Sequence, residues 1–496
     1  MSNDNNSGAH STLSPVKQAL LEKLLRERLA TRSGEGAAAG GDMASIRRGP
    51  PRRRVRASFS QENVWDLAQL EGRISSYNFS IRLSGAFDVT ALRRALTELV
   101  RRHEILRTSF VIERSKLFQI MNSARPYQLP VADLTDLPEA KRDLEIRRQI
   151  SEMIHRPYNL QEDHLFRARV LRLGAEEYVL LFSILHLIAD HWSLRIIERE
   201  INLLYGAFSQ GRPSPLAELQ IQYADFAVWQ RKRVKTLKSQ YDYWMRQLKD
   251  YPAPLPLPTK QPRPSRQTFN GRFEVFTCPP ALVDSLRGVS QSESTTMFVT
   301  ILAAFVALVH RYTGRRDIPV GMGTAGRNPA ATEELIGCFS NTLVLRIEFS
   351  GDPAFRELLR IVRPITLNAL ENQDLPIRHV LGNLQLKLDP SLSALTQIGA
   401  VLHHETKAVA EEPSGLHVKT KIIDAERAAV DLLLRMNFSQ AELTMSFQYN
   451  PDLFDADVIA RMREHFLNLL QRVAEDPDQT LSQLSLLDQA GMESKQ

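Results

Sequence analysis

The chain has 496 residues, 43% hydrophobic and 24% charged, a globular composition too long for one hydrophobic core, so two lobes are expected. Its net charge of +6 is local: residues 1–56 hold eleven Lys/Arg against five Asp/Glu, and residues 57–496 sum to zero, which excludes a broad nucleic-acid-binding face. No apolar run approaches the roughly 18–20 residues of a membrane span, Met1–His10 lacks a secretory pattern, and Cys278 and Cys338 offer neither a disulfide framework nor a zinc spacing, so a cytoplasmic protein is expected.

In chain order, Ser14 and Pro15 open a short amphipathic helix over Pro15–Leu29, carrying Leu20, Leu21, Leu24, Leu25 and Leu29. A Gly/Ala linker (Gly34–Asp42) and a Pro/Arg run (Ile46–Arg56) follow. Residues 1–56 thus read as a basic tail, with solubility and docking to an acidic partner as the roles open to it. The globular part is expected from Ala57. Tyr77–Leu83 alternates with strand period, and Val89–Arg102 repeats apolar residues at helical spacing (Leu92, Leu96, Leu99, Val100). Val179–His186 is a nearly continuous apolar run, the pattern of a buried strand. Leu194–Phe208 is helical by spacing, with Ser193 as its cap.

Tyr251–Pro264 holds six prolines in fourteen residues and marks a crossing between halves. Beyond it come a strand at Arg272–Thr277, helices at Pro280–Val289 and Thr296–Tyr312, and a strand at Ile318–Gly321. The expected division is a tail (1–56), a first lobe (57–235), a Pro-rich connector (236–270), a second lobe (271–485) and a C-terminal tail (486–496). Two α/β lobes with a cleft between them are expected to hold the active site.

The chemistry centres on Leu185-His186-Leu187-Ile188-Ala189-Asp190-His191-Trp192-Ser193. A buried strand delivers His186 at its end, and a helix starts just beyond. Such junctions hold a reactive group rigidly while leaving it accessible. Histidine titrates where a general base is useful near neutrality, and Asp190 is placed to orient the loop through an ion pair. By itself, a histidine at a strand end is as compatible with a packed core.

The flanking blocks add to this reading. Ala57–Trp65 resembles the SxAQxxxW block of nonribosomal peptide synthetase condensation domains, Arg102–Phe110 their RHExLRTxF block, and Tyr223–Gln230 their YxDYAxWQ block. Leu257-Pro258-Thr259 with Arg263-Pro264 resembles their LPTDRPRP connector, Gly323–Arg327 their GTPxxGR block, and Ile336–Thr342 their IGxFVNT block. Tyr449-Asn450, Leu453-Phe454, Arg461-Met462 and His465-Phe466 resemble the closing block, and the loop itself is similar to HHxxxDG.

The resemblance implies two lobes similar to chloramphenicol acetyltransferase, forming a V-shaped pseudo-dimer with the loop at its floor. It implies acyl transfer from a carrier-protein thioester to an amine or hydroxyl, giving an amide or ester. No covalently bound cofactor is implied; the substrates ride on the phosphopantetheine arms of acyl or peptidyl carrier proteins, and no metal, nucleic acid or membrane takes part. His186 corresponds to the family's base or positioning histidine, and Asp190 to a structural aspartate paired with an arginine of the other lobe, here Arg327. His191, Trp192, Ser193 and Asn341 are candidates to line the channel.

Two positions depart from the motif. Leu185 stands where its first histidine is, on the packed side of the strand by period-two alternation. His191 stands where its glycine is, a position at which glycine is free to take a positive φ. His191 narrows the acceptor channel, adds a proton carrier, or points away; these remain open. So does a non-catalytic docking module as an alternative to the enzyme, and an epimerisation domain as a third reading. His103 and Glu104 are assigned to packing and capping, Trp229 and Trp244 to core or interlobe contacts, and Tyr449-Asn450 to a turn. His403 and His404, adjacent on a strand, face opposite sides and do not make a metal pair.

Overall fold

The protein is described from a computed structural model covering residues 46–486, except 163, 261, 382–383, 385–390, 393–394, 405–416, 424–426 and 439–441. The helix expected at Pro15–Leu29, the linker at Gly34–Asp42 and all but the first residue of the 486–496 tail lie outside the described residues.

The first part of the chain runs β1 (Arg54–Arg56), α1 (Phe59–Glu71), β2 (Ser76–Ser84), α2 (Val89–Arg102), β3 (Thr108–Glu113), β4 (Lys116–Met121), β5 (Val131–Asp133), α3 (Glu139–His155), β6 (Phe166–Arg172), β7 (Glu177–Leu185), α4 (His191–Phe208), α5 (Tyr223–Arg233) and α6 (Lys238–Gln247). The second runs β8 (Arg272–Cys278), α7 (Pro280–Ser292), α8 (Met297–Thr313), β9 (Asp317–Thr324), β10 (Asn341–Glu348), α9 (Phe355–Glu371), α10 (Ile377–Leu381), β11 (Ile398–His404), β12 (His417–Ile423), β13 (Leu432–Phe438), β14 (Leu443–Tyr449) and α11 (Ala456–Glu475).

The apolar patterns explain most of these elements. Asp88 caps α2, accepting from the Thr90 and Ala91 N–H groups at 2.7 and 3.1 Å, and the helix buries Leu92, Leu96, Leu99 and Val100. The α8 helix is buried on every side from Val299 to Val309 and ends at Gly314 in the left-handed conformation, φ 69°. It is the centre of the second core, as an all-apolar helix must be. No single helix among the described residues is long and apolar enough to cross a membrane.

Each lobe has its own sheet and core. The first sheet has the order β12-β2-β7-β6-β5 and the second β10-β9-β11-β13-β14-β8, while β1-β4-β3 form a small third sheet. In the first, β2 and β7 are antiparallel, pairing Ser76 with Leu185 and Tyr77 with Ile184, which brings Tyr77 to the end of the strand that carries His186.

Three expected boundaries shift. The tail expected to extend to residue 56 gives way to the body eleven residues earlier: Ile46 is buried in the first core and Arg54–Arg56 pair with β4. The connector expected over 236–270 is helical at Lys238–Gln247, because Leu237, Trp244 and Leu248 are drawn into the second core. Among the described residues its proline-rich remainder holds no helix or strand, since proline lacks the donor either would need. The second lobe is also not self-contained. Leu335, Ile336, Cys338 and Phe339 pack in the first core, and β12 pairs with β2 in the first sheet, His417 opposite Ser84 through Ile423 opposite Asn78.

Candidate active site

Leu185 is almost fully buried in the first core. Burying a leucine there contributes about 1.5–3 kcal/mol, without the polar partner that a histidine would require. His186 follows on the opposite side, its N–H donating to the Ser75 carbonyl at 2.9 Å. Its ring is anchored at one nitrogen: Nδ1 lies 2.8 Å from the Ala189 carbonyl oxygen. A carbonyl only accepts, so Nδ1 carries the hydrogen, and the neutral ring presents Nε2 as an acceptor. Tyr77 packs edge-on against the ring, centroids 5.1 Å apart, with its hydroxyl 3.4 Å from Nδ1. Burial lowers the His186 pKa from the ordinary value near 6.5, and burial raises that of Tyr77. The site therefore holds a neutral imidazole of one tautomer.

The loop behind this histidine is held by the next turn of chain. Asp190 caps α4: its Oδ1 accepts from the Ser193 N–H at 2.8 Å, and the Asp190 N–H points back to Ser193 Oγ at 3.3 Å. The helix thus starts at His191, and the expectation of Ser193 as cap is corrected. Ser193 sits inside the box because its own N–H is the one the Asp190 carboxylate accepts from. His191, as the first helical residue, is not in the positive-φ region that the glycine comparison raised.

Arg327 joins this cap from the second lobe. Its Nη2 lies 2.9 Å from Asp190 Oδ1 and 3.1 Å from Ser193 Oγ, and its Nη1 donates to the Thr332 and Leu335 carbonyls at 2.5 and 2.7 Å. The guanidinium carbon stands 4.0 Å from the centre of the Phe339 ring. Asp190 Oδ2 accepts from the Phe339 N–H at 3.2 Å, and Ser193 Oγ accepts from the Gly337 N–H at 3.0 Å. Asp190, Ser193 and Arg327 are all buried. The segment 335–339 is thereby stitched to the loop carrying His186.

The remaining candidates occupy other places. Ser193 is fully buried within this network and does not line an open channel. Trp192 lies at the lobe seam, its Nε1–H donating to the Glu333 carbonyl at 3.0 Å. Asn341 opens β10 as a staple, donating to the Gln373 and Leu375 carbonyls at 3.0 and 3.1 Å and accepting from the Ile377 N–H at 3.3 Å. His191 is partly exposed at the start of α4. His103 is buried, its Nε2 2.9 Å from Glu200, and burial lowers its pKa. Trp244 is a core residue whose indole N–H donates to the Asn372 carbonyl at 2.8 Å.

Several supports escape a reading by motif. Gln61 donates to the Leu187 carbonyl within the His186 loop at 3.1 Å. Ser58 meets the Tyr223 hydroxyl at 2.7 Å, and Tyr223 donates to the Cys338 carbonyl. Glu62, nearly buried, receives Arg56, Arg231 and, from the second lobe, Arg378 at 3.0, 2.6 and 2.9 Å. Arg427, after β12, pairs with Glu71 of α1 at 2.7 Å. Tyr77 had a signal in its strand alternation, but the pairing that sets it beside His186 did not.

Comparison with known proteins agrees with this arrangement. The condensation-domain family matches residues 52–494. The chain is 39% identical over 438 residues to a linear gramicidin synthase of Brevibacillus parabrevis, covering 87% of this chain and 9% of that synthase. It is 37% identical over 434 residues to chondramide synthase cmdD of Chondromyces crocatus, covering 87% of this chain and 11% of that one. Among solved structures, the X-domain from teicoplanin biosynthesis superposes with a TM-score of 0.82 at 25% identity, covering 89% of this chain and 100% of that one. The chain spans about a tenth of the length of these two synthases. Two interlocked lobes of the chloramphenicol acetyltransferase type, with the His186 loop clamped between Asp190 and Arg327, make this chain a member of the condensation-domain family of nonribosomal peptide synthesis.

Proposed function

We propose that the chain is an acyltransferase that joins a carrier-bound acyl thioester to an amine or hydroxyl, with His186 receiving the proton. The observation that carries this reading is the tautomer. Nδ1 is committed to the Ala189 carbonyl, leaving Nε2 as an acceptor on a ring that burial keeps neutral. An acceptor amine places its lone pair on the thioester carbonyl carbon as the C–N bond forms. Nε2 takes the proton that the nitrogen sheds, and the C–S bond breaks as the carbonyl re-forms. The proton then passes to the leaving thiolate, returning His186 to its starting state.

A thioester is already activated, so little more is required. Holding two tethered reactants in register offsets on the order of 7–11 kcal/mol of barrier. A placed base contributes roughly 10²–10⁴-fold. Carrier proteins bearing phosphopantetheine are the partners this chemistry calls for.

A second reading is favoured by His191, which replaces the motif glycine beside the histidine. In it the chain docks a partner protein without turning over. An X-domain of similar fold has been solved in complex with OxyB, and that observation belongs to the X-domain. One experiment separates the two: acyl-carrier thioesters and amines are offered to wild type and to His186→Ala. Amide formed by wild type and lost in the variant supports acyl transfer. Equal rates remove His186 as the base, and no product with any pair leaves the docking reading.

A further inference from the structure

A buried amide stands behind the His186 turn and has no part in the proton transfer proposed above. Gln61 lies in the first turn of α1, fully buried against Gln119 of β4, itself nearly so. The hydrogen bonds of Gln61 fix which end of its amide points where. Oε1 accepts from the Ser58 N–H at 3.0 Å, so Nε2 faces the other way. Nε2 donates to the Leu187 carbonyl at 3.1 Å and to Gln119 Oε1 at 3.4 Å. Ser58 Oγ accepts from the Gln61 N–H at 3.1 Å, the reciprocal half of the cap that opens α1.

The contact with Leu187 fixes a peptide plane. The Ile188 N–H donates to the Leu185 carbonyl at 3.0 Å, closing a turn with His186 and Leu187 at its centre. The peptide unit between Leu187 and Ile188 is therefore held at both ends, its oxygen by Gln61 and its N–H by Leu185. The unit between Ala189 and Asp190 is held likewise: its oxygen meets His186 Nδ1 at 2.8 Å and its N–H meets Ser193 Oγ at 3.3 Å. A single peptide unit separates the two.

Leu187, Ile188 and Ala189 are fully buried, so water cannot replace a partner lost from this stretch. Without Gln61 the Leu187 carbonyl is a buried acceptor with nothing to accept. Turning its peptide to find a donor breaks the bond to Leu185 and draws the Ala189 carbonyl off Nδ1. The tautomer of a neutral imidazole is set by the bond its other nitrogen makes. Once Nδ1 loses its acceptor, the hydrogen is shared with Nε2, and the acceptor that the reaction needs is lost in proportion.

This anchor also reaches the second lobe. Ser58 Oγ meets the Tyr223 hydroxyl at 2.7 Å, Tyr223 donates to the Cys338 carbonyl, and Ser60 Oγ donates to the Phe339 carbonyl at 3.4 Å. The segment stitched to one flank of the loop through Asp190 and Ser193 thus braces the residue that grips the other flank.

We propose that Gln61 is a positioning residue for acyl transfer: by fixing the Leu187 carbonyl it keeps the Ala189 carbonyl on Nδ1 and leaves Nε2 as the acceptor. Its effect on rate rests on the acyl-transfer reading above, and its effect on the tautomer does not. The full chain labelled with ¹⁵N-histidine reports the tautomer, since protonated and bare ring nitrogens resonate far apart, and the His186 signals are those lost in His186→Gln. Wild type should carry the hydrogen on Nδ1. Gln61→Met keeps the volume and removes the donor, so it should show the two tautomers mixed. Its kcat should fall roughly tenfold or more, within the roughly 10²–10⁴-fold a placed base contributes, while KM stays within about twofold.

Gln61→Glu keeps the oxygen that faces Ser58 and donates to Leu187 only while its carboxyl is protonated. Burial raises the pKa of such a carboxyl. The spectrum and kcat of this variant should therefore approach wild type as pH falls from about 9 to about 7, and depart from it as pH rises. A role in packing alone would move the melting temperature and leave the tautomer in place. A pure Nδ1–H tautomer in a folded Gln61→Met, or a Gln61→Glu spectrum that matches wild type at every pH, overturns the proposal. Should Gln61→Met unfold, the Gln61→Glu titration decides. Absence of turnover in wild type counts against acyl transfer, and the tautomer comparison still decides the role of Gln61.

Discussion

Arg327 of the second lobe and Asp190 of the first meet at 2.9 Å with both side chains nearly excluded from solvent, 2% and 4% exposed. The pair is buried and also bonds to Ser193, Thr332, Leu335 and Phe339, so removing one partner strands a charge in the interior. Arg327→Met and Asp190→Ala should each destabilise the fold by about 3–5 kcal/mol. The double replacement should cost clearly less than the sum, because neither charge is then left alone. Urea unfolding of the four proteins measures this coupling.

His103, buried, and His186, half-buried, set the response to acid. Burial lowers the pKa of His103 and His186 in the folded chain, so between the folded values and about 6.5 the unfolded chain binds more protons. Stability should therefore be complete above about pH 6.5 and fall as pH drops below it. For the same reason, the acid limb of kcat/KM should lie below that of a free imidazole. Melting curves and rate profiles between pH 5 and 8 check both.

Tyr77 offers its hydroxyl oxygen as a second acceptor for the Nδ1–H group of His186. Tyr77→Phe removes it, which weakens the anchoring of the ring and disfavours the imidazolium. The expected result is a fall in kcat of roughly two- to tenfold, the worth of one hydrogen bond. KM should barely change, and the acid limb should move to lower pH. An unmoved limb would leave Tyr77 as packing alone.

Gly326 and Gly337 are required by contact. Gly326 sits at φ 61° with the Phe339 carbonyl where a Cβ would be, and a Cβ on Gly337 would enter the Tyr223 ring. Alanine at either position should cost about 1–3 kcal/mol. Gly288, inside α7 with open space around it, should gain about 0.5–1 kcal/mol from the same change. Thermal melts of the three variants give the comparison.

His191→Gly places a flexible residue at the first position of α4, where the backbone is already helical. It should lower stability by up to about 0.5–1 kcal/mol. If the ring is not a proton carrier, the acid limb of the rate profile stays in place; a shifted limb would assign it that role.

The α2 helix was legible over Val89–Arg102 because its apolar residues recur at one period, and the structure adds Asp88 as its cap. The β7 strand, the proline connector and the position of His186 were legible for the same kind of reason: each depends on neighbours along the chain. The start of α4 was misplaced by three residues, since Asp190 and Ser193 are both good caps and only the folded geometry chooses between them.

Local patterning and ordered motifs were enough to determine the family, the two lobes and the histidine at the end of a buried strand. Contacts between distant residues were decided by tertiary structure. β12 joins the other lobe's sheet, Tyr77 reaches the ring of His186, and Arg54–Arg56 pair with β4. Nothing near these residues in the chain specifies such partners, because strand pairing and buried charge are settled only when the whole core closes. The proton on Nδ1 belongs with them: the sequence names His186, and the turn that brings the Ala189 carbonyl to 2.8 Å decides which nitrogen is left to act.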